Sequence, residues 1–229
     1  MAHETNPDGL GMTVHLMEGI ECLGSVLRGH LFHGGSGGWL WVPDRPDTPA
    51  TRLIVPLRGG LTVQLDGRDQ ELGPGLPLVV PWRGDMPAVS MPRQAVYAVL
   101  DIRQKPGTSW QRTSCFIPQF PTYSQNQNQG HATWNLLYHD QAPGVNRLMC
   151  RVFQPGGQLW LPANRHTDML LIGLGGKFGA GCRTNQATYG LLLNTYECLY
   201  IPNGVSCRLE LPAEETSGAI LQFVLAAAA

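Results

Sequence analysis

Apolar and polar residues alternate in short runs along this chain, and glycine or proline closes most runs. Leu61-Thr62-Val63-Gln64-Leu65 alternates with a period of two, which predicts a strand with one buried face. Asp66-Gly67 follows it, a dipeptide suited to a tight hairpin. Arg52–Leu57, Leu76–Pro81 and Ala95–Ile102 read as further strands of a first half. Trp134–Tyr138, Leu148–Phe153, Gln158–Pro162, Met169–Leu174, Leu191–Ile201 and Ala219–Leu225 read as strands of a second. One segment differs. Val14, Leu16, Met17, Ile20, Leu23, Val26 and Leu27 approximate one helical face, predicting a short N-terminal helix around 17–27 with Gly29 past its end.

The two halves repeat. Gly59-Gly60 and Gly175-Gly176 lie 116 residues apart, and Pro81 and Pro202 lie 121 apart. A near-constant offset predicts two copies of one β unit. Between them Lys105-Pro106-Gly107 and Gln125–Gly130 are polar and turn-rich. The chain thus divides into residues 1–104, a connector over 105–130, and residues 131–229.

Composition narrows the class. Hydrophobic residues are 43% and charged residues 14%, which argues against a disordered chain. Glycine (28) and proline (18) suit many short strands joined by tight turns. A net charge of −1 with no basic block argues against nucleic acid as partner. The longest apolar run, Leu170–Leu174, is far short of the ~20 residues of a membrane-spanning helix. The N-terminus has no signal pattern, so the expected location is cytoplasmic. Six cysteines form no C-x-x-C pair and read as buried, reduced thiols.

Pro202-Asn203-Gly204-Val205-Ser206-Cys207 resembles the second motif of cupins, Pro-x-Gly-x-x-His, with Cys207 in the histidine slot. Gly73-Pro74-Gly75-Leu76 and Pro81-Trp82-Arg83-Gly84 resemble the same motif in the first half. The segment His30–Val89 also resembles the cupin domain of AraC-type regulators, but no helix-turn-helix pattern follows it. The resemblance implies an all-β fold of two tandem cupin-like jelly-roll barrels, a bicupin, behind the short helix. Metal-binding cupins carry His-x-His and a Glu in the first motif and a His in the second. Here Asp44-Arg45-Pro46-Asp47 has no histidine, and Asn164-Arg165-His166 keeps one. The Glu slot is apolar, near Met169–Leu171. Neither a metal nor another cofactor is therefore expected.

Candidate chemistry gathers in the second half. If the corner is extended, Asn164, His166 and Asp168 share one face, which the cupin pattern turns into the barrel. A histidine beside a carboxylate shuttles protons near neutral pH; a surface corner is the plain alternative. Cys207 at the mouth is a candidate thiol acid or an inert cysteine. Asn194, Tyr196, Cys198 and Tyr200 alternate on one strand and suggest a partly polar lumen. Trp160, with Trp39 and Trp41 in the first half, suits an aromatic wall or a plain core. His30, His33, His131 and His139 read as structural or surface residues.

The resemblance then implies a metal-independent lyase, isomerase or cyclase of a natural-product type acting on a small, partly apolar metabolite. His166 is its acid/base and Asp168 the orienter. Trp160, Asn164, Tyr196, Tyr200 and Cys207 line the substrate site. The alternatives are a non-catalytic small-molecule-binding bicupin and a metal-dependent oxygenase with atypical ligands such as His166 and Cys207. Exposed strand edges leave room for a homodimer.

Overall fold

A computed structural model describes residues 3–5, 11–14, 26–34, 44, 47–92, 94–104, 114–118, 122–126, 129–138, 141–184 and 186–226. Among these every extended or helical element of more than a single turn is a strand. The expected helix lies outside the described residues up to 25, and Val26 and Leu27 begin a strand. Trp39, Trp41 and His139 also lie outside them.

The chain forms two compact units. Unit 1 comprises Met1–Gln119 with Ala142–Gly144, and unit 2 comprises Phe120–Gln141 with Val145–Ala229. Unit 1 holds β1 (His3–Thr5), β2 (Gly11–Val14), β3 (Val26–Gly34), β4 (Ala50–Arg58), β5 (Leu61–Leu65), β6 (Arg68–Leu72), β7 (Leu78–Val80), β8 (Val89–Ser90) and β9 (Val96–Arg103). Unit 2 holds β10 (Thr122–Asn126), β11 (His131–Tyr138), β12 (Val145–Phe153), β13 (Gln158–Leu161), β14 (Thr167–Gly175), β15 (Phe178–Arg183), β16 (Thr188–Leu193), β17 (Cys198–Ile201), β18 (Ser206–Glu210) and β19 (Gly218–Ala226). β10 runs through the stretch read as a connector, pairing Thr122–Asn126 with His131–Asn135 of β11.

The repeat is topological. One sheet of unit 1 has the order β1-β2-β3-β9-β4-β7, and its counterpart in unit 2 has β10-β11-β12-β19-β14-β17. All pairings are antiparallel. Each long central strand breaks register near its end, β4 between Pro56 and Arg58 and β14 between Gly173 and Gly175. The second sheets are β6-β5-β8 and β13-β18-β15-β16. Asp66 and Gly67, at φ 51° and 72°, make the two-residue turn between Leu65 and Arg68.

Each unit packs its own core. In unit 2, Phe153, Leu159, Leu161, Met169, Leu171 and Phe178 meet with Cys207, Leu209 and Ile220 between the sheets. In unit 1 the corresponding residues include Phe32, Ile54, Val63, Leu78, Val80, Tyr97 and Val99. The core side of unit 1 also carries a charge pair. Arg52 on β4 donates from Nε and Nη2 to the two carboxylate oxygens of Asp101 on β9, both at 2.8 Å.

Candidate functional site in unit 2

The site expected from the motifs sits where two loops meet. Gly204, at φ 78°, donates its N–H to the Asn164 carbonyl at 2.8 Å, and Val205 N–H donates to the Pro202 carbonyl at 3.2 Å. The Pro-x-Gly turn thus holds the 162–166 corner beside it. That corner is not extended, so strand alternation does not govern it. Asn164 Oδ1 instead accepts the His166 N–H at 2.8 Å, closing a local turn. Both side chains are exposed, and the His166 imidazole has no hydrogen bond or ion pair among the described residues. The expectation that this histidine faces the barrel interior is corrected: the asparagine caps the corner and leaves the imidazole outside.

Asp168 lies on the other side. Met169 and Leu171 of β14 enter the core, so alternation sends Asp168 to the opposite face. It is buried there, and its Oδ1 accepts the Asn203 N–H at 2.9 Å. Tyr200 also bonds to it, and burial, this bond and the carboxylate charge push the phenol well above its usual range. Asp168 therefore fixes the Pro-x-Gly turn and does not orient His166. Tyr200 and Cys198 share this face of β17, while Leu199 and Ile201 pack against the core.

Three further expectations change. The run Leu191–Ile201 is two strands, because Asn194–Glu197 turns the chain. Tyr196 sits at φ 63° and donates its N–H to the Gly173 carbonyl at 2.8 Å. Glu197 Oε2 accepts from both the backbone and the side-chain nitrogen of Asn194. Trp160 is 54% exposed, because Leu159 and Leu161 take the inward positions of β13. Cys207 is fully buried, and its Sγ lies 2.7 Å from Cys182 Sγ. Its partner thiol and burial push its own thiol far above the usual range, so Cys207 keeps its proton within the packed core.

Met169 and Cys207, near the Glu and His slots of the motifs, both belong to the packed core. Among the described residues no three His, Cys, Asp or Glu side chains gather as a metal-ligand set.

A different polar group lies on the same sheet. The Arg151 guanidinium of β12 donates from Nε to Gln222 Oε1 at 2.7 Å. Its Nη1 donates to Thr133 Oγ1 at 2.8 Å and to His131 Nε2 at 3.0 Å. Its Nη2 faces the Met149 thioether at 3.5 Å, a weak acceptor. Because arginine only donates, His131 Nε2 is the acceptor and Nδ1 carries the proton toward the Gln158 carbonyl, 3.2 Å away. None of these partners is a carboxylate. Burial, and then the neighbouring Arg147, draw the Arg151 guanidinium down to about 10. His131, Thr133, Met149 and Gln222 are buried, while Arg151 itself keeps partial exposure. One signal in the sequence marks this group: Arg151 shares strand parity with Phe153 inside an otherwise apolar run, and Gln222 interrupts another.

No known family profile matches the chain, and no curated protein does. Solved structures do match. Hazelnut (Corylus avellana) vicilin is 10% identical with a TM-score of 0.67, covering 98% of this chain and 83% of its own. AerE from Microcystis aeruginosa is 9% identical with a TM-score of 0.61, covering 86% of each chain. A single-site mutant of Bacillus subtilis oxalate decarboxylase OxdC is 10% identical with a TM-score of 0.64, covering 98% of this chain and 74% of its own. All are cupin-fold proteins with two barrels. The chain is a bicupin in fold. At these identities the likeness carries the bicupin architecture alone.

Proposed function

We propose that this bicupin binds a small anionic molecule at the Arg151 group and carries out no acid–base chemistry at the expected corner. The supporting observation is a charge that no carboxylate among the described residues neutralises. Arg151 is held by Gln222, Thr133 and His131, all uncharged, and among the described residues its Nη2 has only a thioether. A part-buried guanidinium without a counter-charge gains most from an incoming carboxylate, which makes charge-assisted hydrogen bonds with it. Gln222, Thr133 and His131 fix its orientation beforehand, so little freedom is lost on binding. The acid–base reading has no comparable support, since it needs an enclosed imidazole and His166 is exposed.

The test is a thermal-shift and calorimetric screen of small mono- and dicarboxylates against the wild type and Arg151→Gln. Stabilisation by a carboxylate that disappears in the variant supports the reading. Absence of any stabilising carboxylate, or equal stabilisation of both proteins, removes it.

A further inference from the structure

On the outer face of the four-stranded sheet of unit 2, large side chains of β13 and β18 lie beside three glycines of β15 and β16, which also carry Leu192 and Arg183 there. In one row Trp160 of β13 lies beside Arg208 of β18, Arg208 beside Gly181 of β15, and Gly181 beside Gly190 of β16. In the next row Glu210 lies beside Gly179, and Gly179 beside Leu192. The face is open: Trp160 is 54% and Leu192 61% exposed. A groove of about 1010 Å³ runs over the glycines, walled by Leu192, Glu210 and Pro212.

Nothing among the described residues requires these glycines. None of the three has a positive φ. A Cβ at Gly181 or Gly190 would meet nothing within 4 Å, and at Gly179 only the Glu210 carbonyl at 4.0 Å. Glycine weakens a strand interior, and its presence there marks close approach by something else. β16 is also the edge of its sheet and carries no charged residue from Thr188 to Leu193.

We propose that this face joins two copies of the chain as a homodimer, through a two-fold axis parallel to the strands between β18 and β15. Such an axis exchanges β13 with β16 and β18 with β15 while keeping the rows in line. Trp160, Arg208 and Glu210 of each copy then lie over Gly190, Gly181 and Gly179 of the other. Stacked sheets sit about 10 Å apart, a space that one large side chain over a glycine fills. A second copy carries the complementary pattern by symmetry. Arg208 and Glu210 of each copy form an ion pair at 3.4 Å, so these two side chains bring no net charge to the face, and Glu214 adds one negative charge at the groove. This inference goes beyond the anion-binding reading and does not rest on it.

Sedimentation equilibrium of the full chain over a wide concentration series tests it. The wild type dimerises. Gly181→Val and Gly190→Val fill the groove from open space and fold normally, as circular dichroism at low concentration verifies. Each raises the dimer dissociation constant at least about tenfold, and so does Trp160→Ala. A wild type that stays monomeric throughout overturns the proposal, as does a dimer that Gly181→Val and Trp160→Ala both leave unchanged. If a valine variant fails to fold, Trp160→Ala alone decides.

Discussion

Arg52 and Asp101 face each other in register on β4 and β9, and Met169 and Val224 hold the same places on β14 and β19. The match is fixed by the next strand, where Arg52 faces Val80 and Met169 faces Ile201, each just before a proline. One position of the repeat is thus ionic in unit 1 and apolar in unit 2. Removing one partner of a buried ion pair strands the other charge, so Asp101→Ala destabilises by about 3–5 kcal/mol. The double change Arg52→Met with Asp101→Val installs the pair of unit 2 and is expected near wild-type stability, within about 1–2 kcal/mol. Urea unfolding of the three proteins checks this; equal losses in the single and double variants would show that the ion pair itself is required.

His131 gives a pH signature. Burial, and then the Arg151 charge, hold its imidazole below the ordinary 6.5. The unfolded chain then takes up a proton as pH falls below about 6.5 while the folded chain does not. Stability therefore drops on acidification through that window. Thermal unfolding between neutral and mildly acidic pH should show the drop, and His131→Gln should flatten it.

Two cysteines are shielded. Burial pushes Cys150 and Cys198 to about 11, with Glu197 adding to the effect at Cys198. At mildly alkaline pH both stay protonated in the folded chain, and a thiol is a poor nucleophile. Thiol labelling followed by peptide mass analysis should modify these two far more slowly before unfolding than after it. The unfolded thiols ionise near 9 while the folded ones hold their protons, so stability also declines as pH rises above about 9.

Gly173 contrasts with the glycines of the outer face. A Cβ there would fall 2.2 Å from the Asn194 carbonyl oxygen. The same glycine accepts from Tyr196 N–H and donates to the Glu197 carbonyl, pinning the turn to β14. Gly173→Ala is expected to cost about 3 kcal/mol or more, because backbone has to move. A wild-type midpoint in denaturant would refute the crowding.

The sequence by itself determined that the chain is a repeated set of short antiparallel strands. Alternation at Leu61–Leu65, the Asp66-Gly67 turn and the matched Gly-Gly and proline positions are local signals, written by backbone preference and period two. The glycine-rich strand Phe178–Arg183 escaped that reading, since its residues Gly179 and Gly181 imitate turn-makers. Only the tertiary structure decided which way the site residues face. Period two separates the faces of a strand but does not say which is inside. On β14 both are buried, Leu170 and Ile172 on one and Met169 and Leu171 on the other, so hydrophobicity marks neither. At the 162–166 corner there is no strand, and one asparagine bond turns His166 outward. Arg151 acquires its setting from Thr133, His131 and Gln222, which lie up to 71 residues away and meet it only when β11, β12 and β19 pair.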